Sequence, residues 1–423
     1  MNQGAGAVQC CIAGGGPAGM MLGLLLARAG VTVLVLEKHA DFLRDFRGDT
    51  IHPSTLDVVH ELGLLDDLLK LPHQEVRELA IKIGEVTVPF ADFGHLPTRC
   101  RFLVLMPQWD FLDFLAREAG RCPGFRLMMR TEATGLLEES GRVVGVEAAT
   151  RAGPVAIRSD LVVAADGRHS ALRAQAGLKV KELGAPMDVL WFHLSASRQG
   201  STQSMGRFDA GQIFIMIYRG EYWQCGYVIP KGAFERIRAA GLPAFRDGVA
   251  RLAPMLSEQV RELRTWDDVK LLTVRVDRLT RWYRPGFLCI GDAAHAMSPI
   301  GGVGINLAIQ DAVAAANILA ALLRAGSATT EHLRRVQRRR QWPTRVTQRF
   351  QVAIQNRVIA SVLRTAKPLR PPLAVRLQAR SAAAADTRPS GRHRRPARAR
   401  EPPDGARARP GPALVLAWII HEG

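Results

Sequence analysis

The hexapeptide Gly14-Gly15-Gly16-Pro17-Ala18-Gly19 constrains this chain more than any other segment. It follows the apolar run of residues 7–13 and precedes a helix-compatible run at 19–29, ended by Gly30, and the β-branched residues 31–36. Strand, glycine turn, helix and strand in that order make a βαβ unit, and strands without alternation imply a parallel sheet covered on both faces. The spacing fits G-x-G-x-x-G: the first glycine makes the turn, the second admits a pyrophosphate, and the third lets the helix pack closely. Glu37 closes the second strand, where it can accept ribose hydroxyls, with Lys38 beside it. Arg28 is the one charge between Val8 and Leu36, yet the stretch is no membrane span: glycines and Pro17 break it, and no Lys or Arg precedes it.

The 423 residues carry a net charge of +18. That charge is local, because residues 331–423 hold 21 Lys and Arg against 5 Asp and Glu, leaving 36 basic and 34 acidic residues in the body. A nucleic-acid-binding domain spreads basic side chains over a folded face, so nucleic acid is not an expected partner. Six cysteines without paired spacing indicate neither a disulfide framework nor a zinc site, and no metal is expected. A reducing cytoplasm fits this usage. Beyond residue 367 the chain turns to Arg, Pro and Ala, and residues 368–412 are expected to be disordered; a shifted reading frame would also write such a tail.

Two more buried runs, residues 161–165 and 287–290, end in charged motifs. One leads to Asp166-Gly167-Arg168-His169-Ser170 with Arg173; the other leads to Gly291-Asp292-Ala293-Ala294-His295, then Pro299 to Asn306, then a long apolar helix over 306–323. Aromatic strand-like pieces between 187 and 275, joined by residues 79–90, form an antiparallel layer. The expected fold is α/β: a Rossmann-like domain with a parallel sheet, a mixed or antiparallel sheet domain, and C-terminal helices. The expected division is 1–78, 108–180 and 276–330 for the first domain, 79–107 and 181–275 for the second, 331–367 for the helices and 368–423 for the basic tail.

With these three motifs, the chain from Val8 to Leu323 resembles the single-component FAD-dependent aromatic hydroxylases, the family of para-hydroxybenzoate hydroxylase. The resemblance implies that Gly14, Gly16, Pro17, Ala18, Gly19, Glu37 and Lys38 hold the ADP part of FAD, and that Asp292 meets its ribityl and pyrophosphate part. It implies that Pro299, Gly302, Gly304, Ile305 and Asn306 border the isoalloxazine. Asp166 and Arg173 are implied for FAD and NAD(P)H, and Arg47 and Gln108 as further FAD contacts. The implied reaction is hydroxylation of an aromatic or quinone-like molecule with NAD(P)H and O2, through a flavin C4a-hydroperoxide.

Strand phase offers Trp191 and His193 as pocket residues, with Tyr218, Trp223 and Tyr227 nearby in sequence; His193 and Pro299 are the catalytic candidates, and core packing is the competing role of each aromatic. His295 reads as structural. Alternatives are a reductase on the same fold, a membrane quinol-ring hydroxylase whose basic helices touch the bilayer, and an inactive member with a damaged C-terminus. A halogenase would carry W-x-W-x-I-P, which is absent.

Overall fold

The computed structural model describes residues 7–43, 50–84, 86–196, 204–209 and 211–365. The expected disordered tail and Arg47 lie outside these residues.

The βαβ unit is strand Val8–Ala13, helix Pro17–Arg28 and strand Val33–Glu37. Its strands occupy the centre of an eight-stranded sheet, where Val8–Ala13 runs parallel to Gly153–Ala164 on one side and to Val33–Glu37 on the other. Phe125–Met129 and Phe287–Cys289 extend the parallel array outward. The three strands that precede Gly14, Asp166 and Asp292 are thereby neighbours, and their C-terminal ends share one edge. This is where an open parallel sheet receives a ligand.

Helix Val303–Arg324 is long and apolar enough to cross a membrane, but most of it is buried in the fold. It packs on helix Pro17–Arg28 and contributes Ile305, Ile309, Ala312 and Leu319 to the main core, as a core helix that is hydrophobic all round should.

The second sheet has seven strands in the order Lys270–Leu272, Met187–Ser195, Tyr222–Pro230, Gln212–Tyr218, Met205–Asp209, Glu78–Ile83, Val86–Asp92. One pair, Met205–Asp209 with Glu78–Ile83, is parallel, so the sheet is mixed. Period-two alternation gives it two apolar faces. Leu190, Phe192, Leu194, Phe214 and Trp223 pack under helix Leu242–Leu252, while Met187, Val189, Trp191, Ile213 and Val228 face the other way.

Helix Thr330–Ile354 carries an internal Pro343 and runs into a π-helical turn, Gln355–Ile359, and a last helix, Ala360–Arg364. Its arginines at 335, 338, 339, 345 and 349 are exposed. The opposite face is polar as well, yet buried: Gln337, Arg340, Thr344, Gln348, Gln351 and Gln355 recur every three or four residues.

Candidate functional site: a dinucleotide cleft continuous with an apolar chamber

A single cavity of about 1050 Å³ runs from the glycine turn to the second sheet. At its polar end the turn performs three separate tasks. Gly14 has φ +110° and sits so close to the neighbouring strand that a Cβ would lie 2.4 Å from the Ala165 carbonyl oxygen. At Gly19 a Cβ would lie 1.9 Å from the Gly14 carbonyl oxygen, so helix and turn could not close. Gly16 differs: a Cβ there would meet no protein atom within 4 Å, and the open space is the cavity itself.

Gly16 is also the N-cap of its helix and supplies no side-chain cap, so the first helical N–H groups are left for a ligand. Helix Val303–Arg324 begins in the same way at Gly302, again without a side-chain cap. Two uncapped helix starts at one cavity form a setting for anionic groups. Glu37 is buried and lines the cavity; its two carboxylate oxygens accept from the Gly15 and His39 N–H groups at 3.0 Å each. These residues fit an FAD dinucleotide.

The charged motifs meet at the sheet edge. Asp292 and Arg168 pair at 3.3 Å, both half-buried and both lining the cavity with Asp166. Burial raises the Asp166 carboxyl above its ordinary range, against the opposing hydrogen bond from Ser170. Gln108, Pro17, Ala18, Lys38, Pro299, Gly304 and Ile305 also line the cavity.

Arg173 and Asn306 do not. Arg173 is buried behind the loops, donating to the Ala293 carbonyl at 3.2 Å and to the Arg168 carbonyl at 2.6 Å, so it ties the two charged motifs together. Asn306 accepts from the His52 N–H at 2.9 Å and the Thr55 hydroxyl at 2.8 Å and donates to the Thr50 and Gly302 carbonyls. It fastens residues 50–55 to the helix start. Both are positioning residues here rather than the direct contacts the sequence suggested. His52 lines the cavity with Nε2 3.0 Å from the Gly301 carbonyl, and burial pushes its ring down to about 4 despite that hydrogen bond. Nothing in the sequence marked it.

At the apolar end, Trp191 alone of the five proposed pocket residues lines the cavity. Trp223, Tyr218 and Tyr227 pack into the opposite face, with the Tyr227 hydroxyl 3.1 Å from Gln212. Register explains the correction: Tyr227 opposes Phe214 and Leu190, both of which point toward helix Leu242–Leu252. His193 keeps the phase of Trp191 but is exposed, its ring 4.7 Å from that of Tyr222, and it does not line the cavity. The chamber is instead walled by Leu79, Ile81, Val189, Ile215 and Val228 from the sheet and by Phe350, Ile354 and Ile359 from the C-terminal helices.

His295 is buried away from the cavity. Its Nε2 lies 2.6 Å from Asp311, whose other oxygen accepts from Arg340 at 2.9 Å. Asp311 also accepts the Gly291 N–H at 3.0 Å, directly before Asp292. Burial alone would raise the Asp311 carboxyl, but His295 and Arg340 hold it below its ordinary range. Further along helix Thr330–Ile354 from Arg340, Gln348 donates to the Asp277 and Ala296 carbonyls, and Gln351 donates to the Ser298 and Ile300 carbonyls while accepting the Ser298 N–H. These glutamines hold the cavity loop by its main chain.

A Rossmann-type dinucleotide turn, a second charged loop on the same sheet edge and a facing mixed sheet define a flavoprotein. Residues 7–350 match the family model described as FAD binding domain. The 6-methylpretetramide 4-monooxygenase of Streptomyces rimosus is 33% identical over 369 residues, covering 86% of this chain and 87% of that protein. An uncharacterized aromatic compound monooxygenase, YhjG of Bacillus subtilis, is 28% identical over 72% of this chain, which spans 60% of that relative's length. The crystal structure of PqsL from P. aeruginosa with 2-aminobenzoylacetate superposes with a TM-score of 0.71 at 21% identity, over 85% of this chain and 100% of PqsL. This chain belongs to the FAD-binding family of flavoprotein monooxygenases. It is an FAD-dependent oxidoreductase.

Proposed function

We propose that this monooxygenase hydroxylates a multi-ring aromatic compound held in the apolar chamber, in the cytoplasm. The observation that carries the reading is the continuity of one cavity from the Gly16 turn to the apolar face of the second sheet. It is supported by the relative that spans nearly the same length and is named for a 6-methylpretetramide oxygenation.

Bound FAD supplies the two-electron redox chemistry and the activation of oxygen. In this reading Gly14, Gly16, Pro17, Ala18, Glu37, Lys38 and Gln108 hold the dinucleotide, with Gly19 setting the helix behind it. Asp166 and Asp292 face its middle, and Pro299, Gly302, Gly304 and Ile305 back its ring. The helix start at Val303 favours negative charge on that ring, and the aliphatic walls exclude water from the reacting face. The domain division given above is part of the same proposal.

The test is turnover of FAD-loaded protein with NADH or NADPH and a panel of multi-ring phenols under ¹⁸O₂. The expected result is a product carrying one labelled oxygen. Consumption of NAD(P)H with every compound ending only in hydrogen peroxide, or reduction without oxygen incorporation, would remove the reading and favour a reductase.

Exposed Trp342 among the arginines of helix Thr330–Ile354 is an aromatic set in basic surroundings, which suits contact with an anionic membrane face. Co-sedimentation with phosphatidylserine vesicles at low salt is the expected result for the full chain; equal recovery with neutral vesicles would dismiss this contact.

A further inference from the structure

Among the described residues, Gln224 is the one side-chain amide that the second sheet turns into the cavity. It lies in strand Tyr222–Pro230 on the face shared with Gly226 and Val228, lines the cavity and is only 4% exposed. The Arg219 Nε–H donates to its amide oxygen at 3.2 Å. A guanidinium can only donate, so it selects the oxygen and fixes which end of the amide is which. The NH2 end has no hydrogen-bond partner among the described residues. Native structures keep few buried donors in that state, because each is costly. Ser204, which also lines the cavity, is by contrast in use: its hydroxyl accepts the Tyr218 N–H at 3.0 Å and lies 3.4 Å from the Gln74 amide oxygen.

The neighbouring indole supplies a flat surface within reach. Trp191 lines the cavity and pairs in register with Gly226, where a Cβ would lie 3.0 Å from the indole ring, so the glycine leaves the ring room to lie across the adjacent strand. Gln224 follows two residues away on the same strand and face, a step of about 7 Å. A flat molecule resting on the indole therefore brings its edge to the amide.

We propose that Gln224 is a specificity-determining residue of the chamber, donating its amide N–H to a carbonyl oxygen conjugated to the ring system of the substrate. The class follows from the orientation: with the amide oxygen on Arg219, the free end only donates, and a carbonyl oxygen only accepts. Against apolar walls such a donor discriminates strongly, because a ligand without the oxygen leaves it unsatisfied. This assignment rests on the aromatic-substrate reading above. It adds which polar feature the substrate carries and which residue reads it.

The experiment measures binding of 9-fluorenone and fluorene, which differ by one carbonyl, to the FAD-loaded full chain by equilibrium dialysis. Wild type is compared with Gln224→Glu, which keeps an acceptor for Arg219 but has no N–H to give when ionised, and with Gln224→Met, which keeps the length and removes both polar atoms. Wild type should prefer fluorenone by about tenfold or more, and both variants should lose that preference while retaining flavin. The carbonyl stretching band of bound fluorenone should lie at lower frequency on wild type than on either variant, since a donated hydrogen bond weakens the C=O bond. A flavin-loaded variant that keeps the preference, or an unchanged carbonyl band, would overturn the assignment. Equal binding of both probes to wild type would overturn it while leaving the substrate class standing. No binding of either would sink the substrate class and the assignment with it.

Discussion

Replacing Gly16 with valine should yield a folded, colourless protein. The backbone there is extended, with φ −73° and ψ −177°, so a β-branched residue fits without strain, and its Cβ would meet no protein atom. Loss of the preferred cap residue costs about 1 kcal/mol, which a chain of this size tolerates. The added methyl groups would instead occupy the space the dinucleotide needs, and retention of FAD should fall about a hundredfold or more. The flavin-to-protein absorbance ratio and a thermal melt report the two quantities separately. Gly16→Val protein that retains stoichiometric flavin would show that the dinucleotide does not approach this turn. Gly14→Ala should behave in the opposite way and fail in folding, since its Cβ would sit 2.4 Å from a backbone oxygen at φ +110°.

The second large effect is expected at Asp311. Its carboxylate is completely buried between His295 and Arg340, so Asp311→Asn leaves the Arg340 guanidinium buried without its counter-charge. Breaking a buried pair from one side typically costs about 3–5 kcal/mol. The pH dependence follows from the direction of the shift. The folded carboxyl titrates below its ordinary value of 3.8, so its contribution to stability is present above that value and is lost as pH falls through the lower, folded one. Melting curves of wild type and Asp311→Asn should lie far apart at pH 7 and converge as the solution is acidified below pH 3.8. A constant gap across that range would mean that the charge plays no part. Because Asp311 also holds the Gly291 N–H, the variant should bind FAD more weakly through the displaced Asp292 loop.

Local pattern made the polar end of the site legible in the sequence. The turn, its helix and Glu37 are adjacent in the chain, and their geometry follows from glycine stereochemistry and helix termini. Arg173 and Asn306 show where that reasoning thins. A motif position says that a residue is needed, but its burial behind the loop depends on residues more than a hundred positions away: Ala293 for Arg173, and His52 and Thr55 for Asn306. Tyr218, Trp223 and Tyr227 failed for a related reason. Alternation says that a strand has two faces, whereas which of them meets the cofactor is decided by where helix Leu242–Leu252 packs. The glutamine stripe is visible as spacing at 337, 348, 351 and 355, but polar residues at helical spacing read as a wetted surface until the loop they clasp is known.

The clasp has a consequence for how such an enzyme changes over generations. Gln348 and Gln351 address peptide groups, so their grip is indifferent to the side chains at Ala296, Ser298 and Ile300. Mutation can therefore rewrite the surface that the loop shows to a substrate while its path through space is preserved. A lineage is free to try new substrates at these positions without first risking the fold, and a library that randomises Met297 and Ile300 while keeping the glutamines should retain a high proportion of flavin-loaded members.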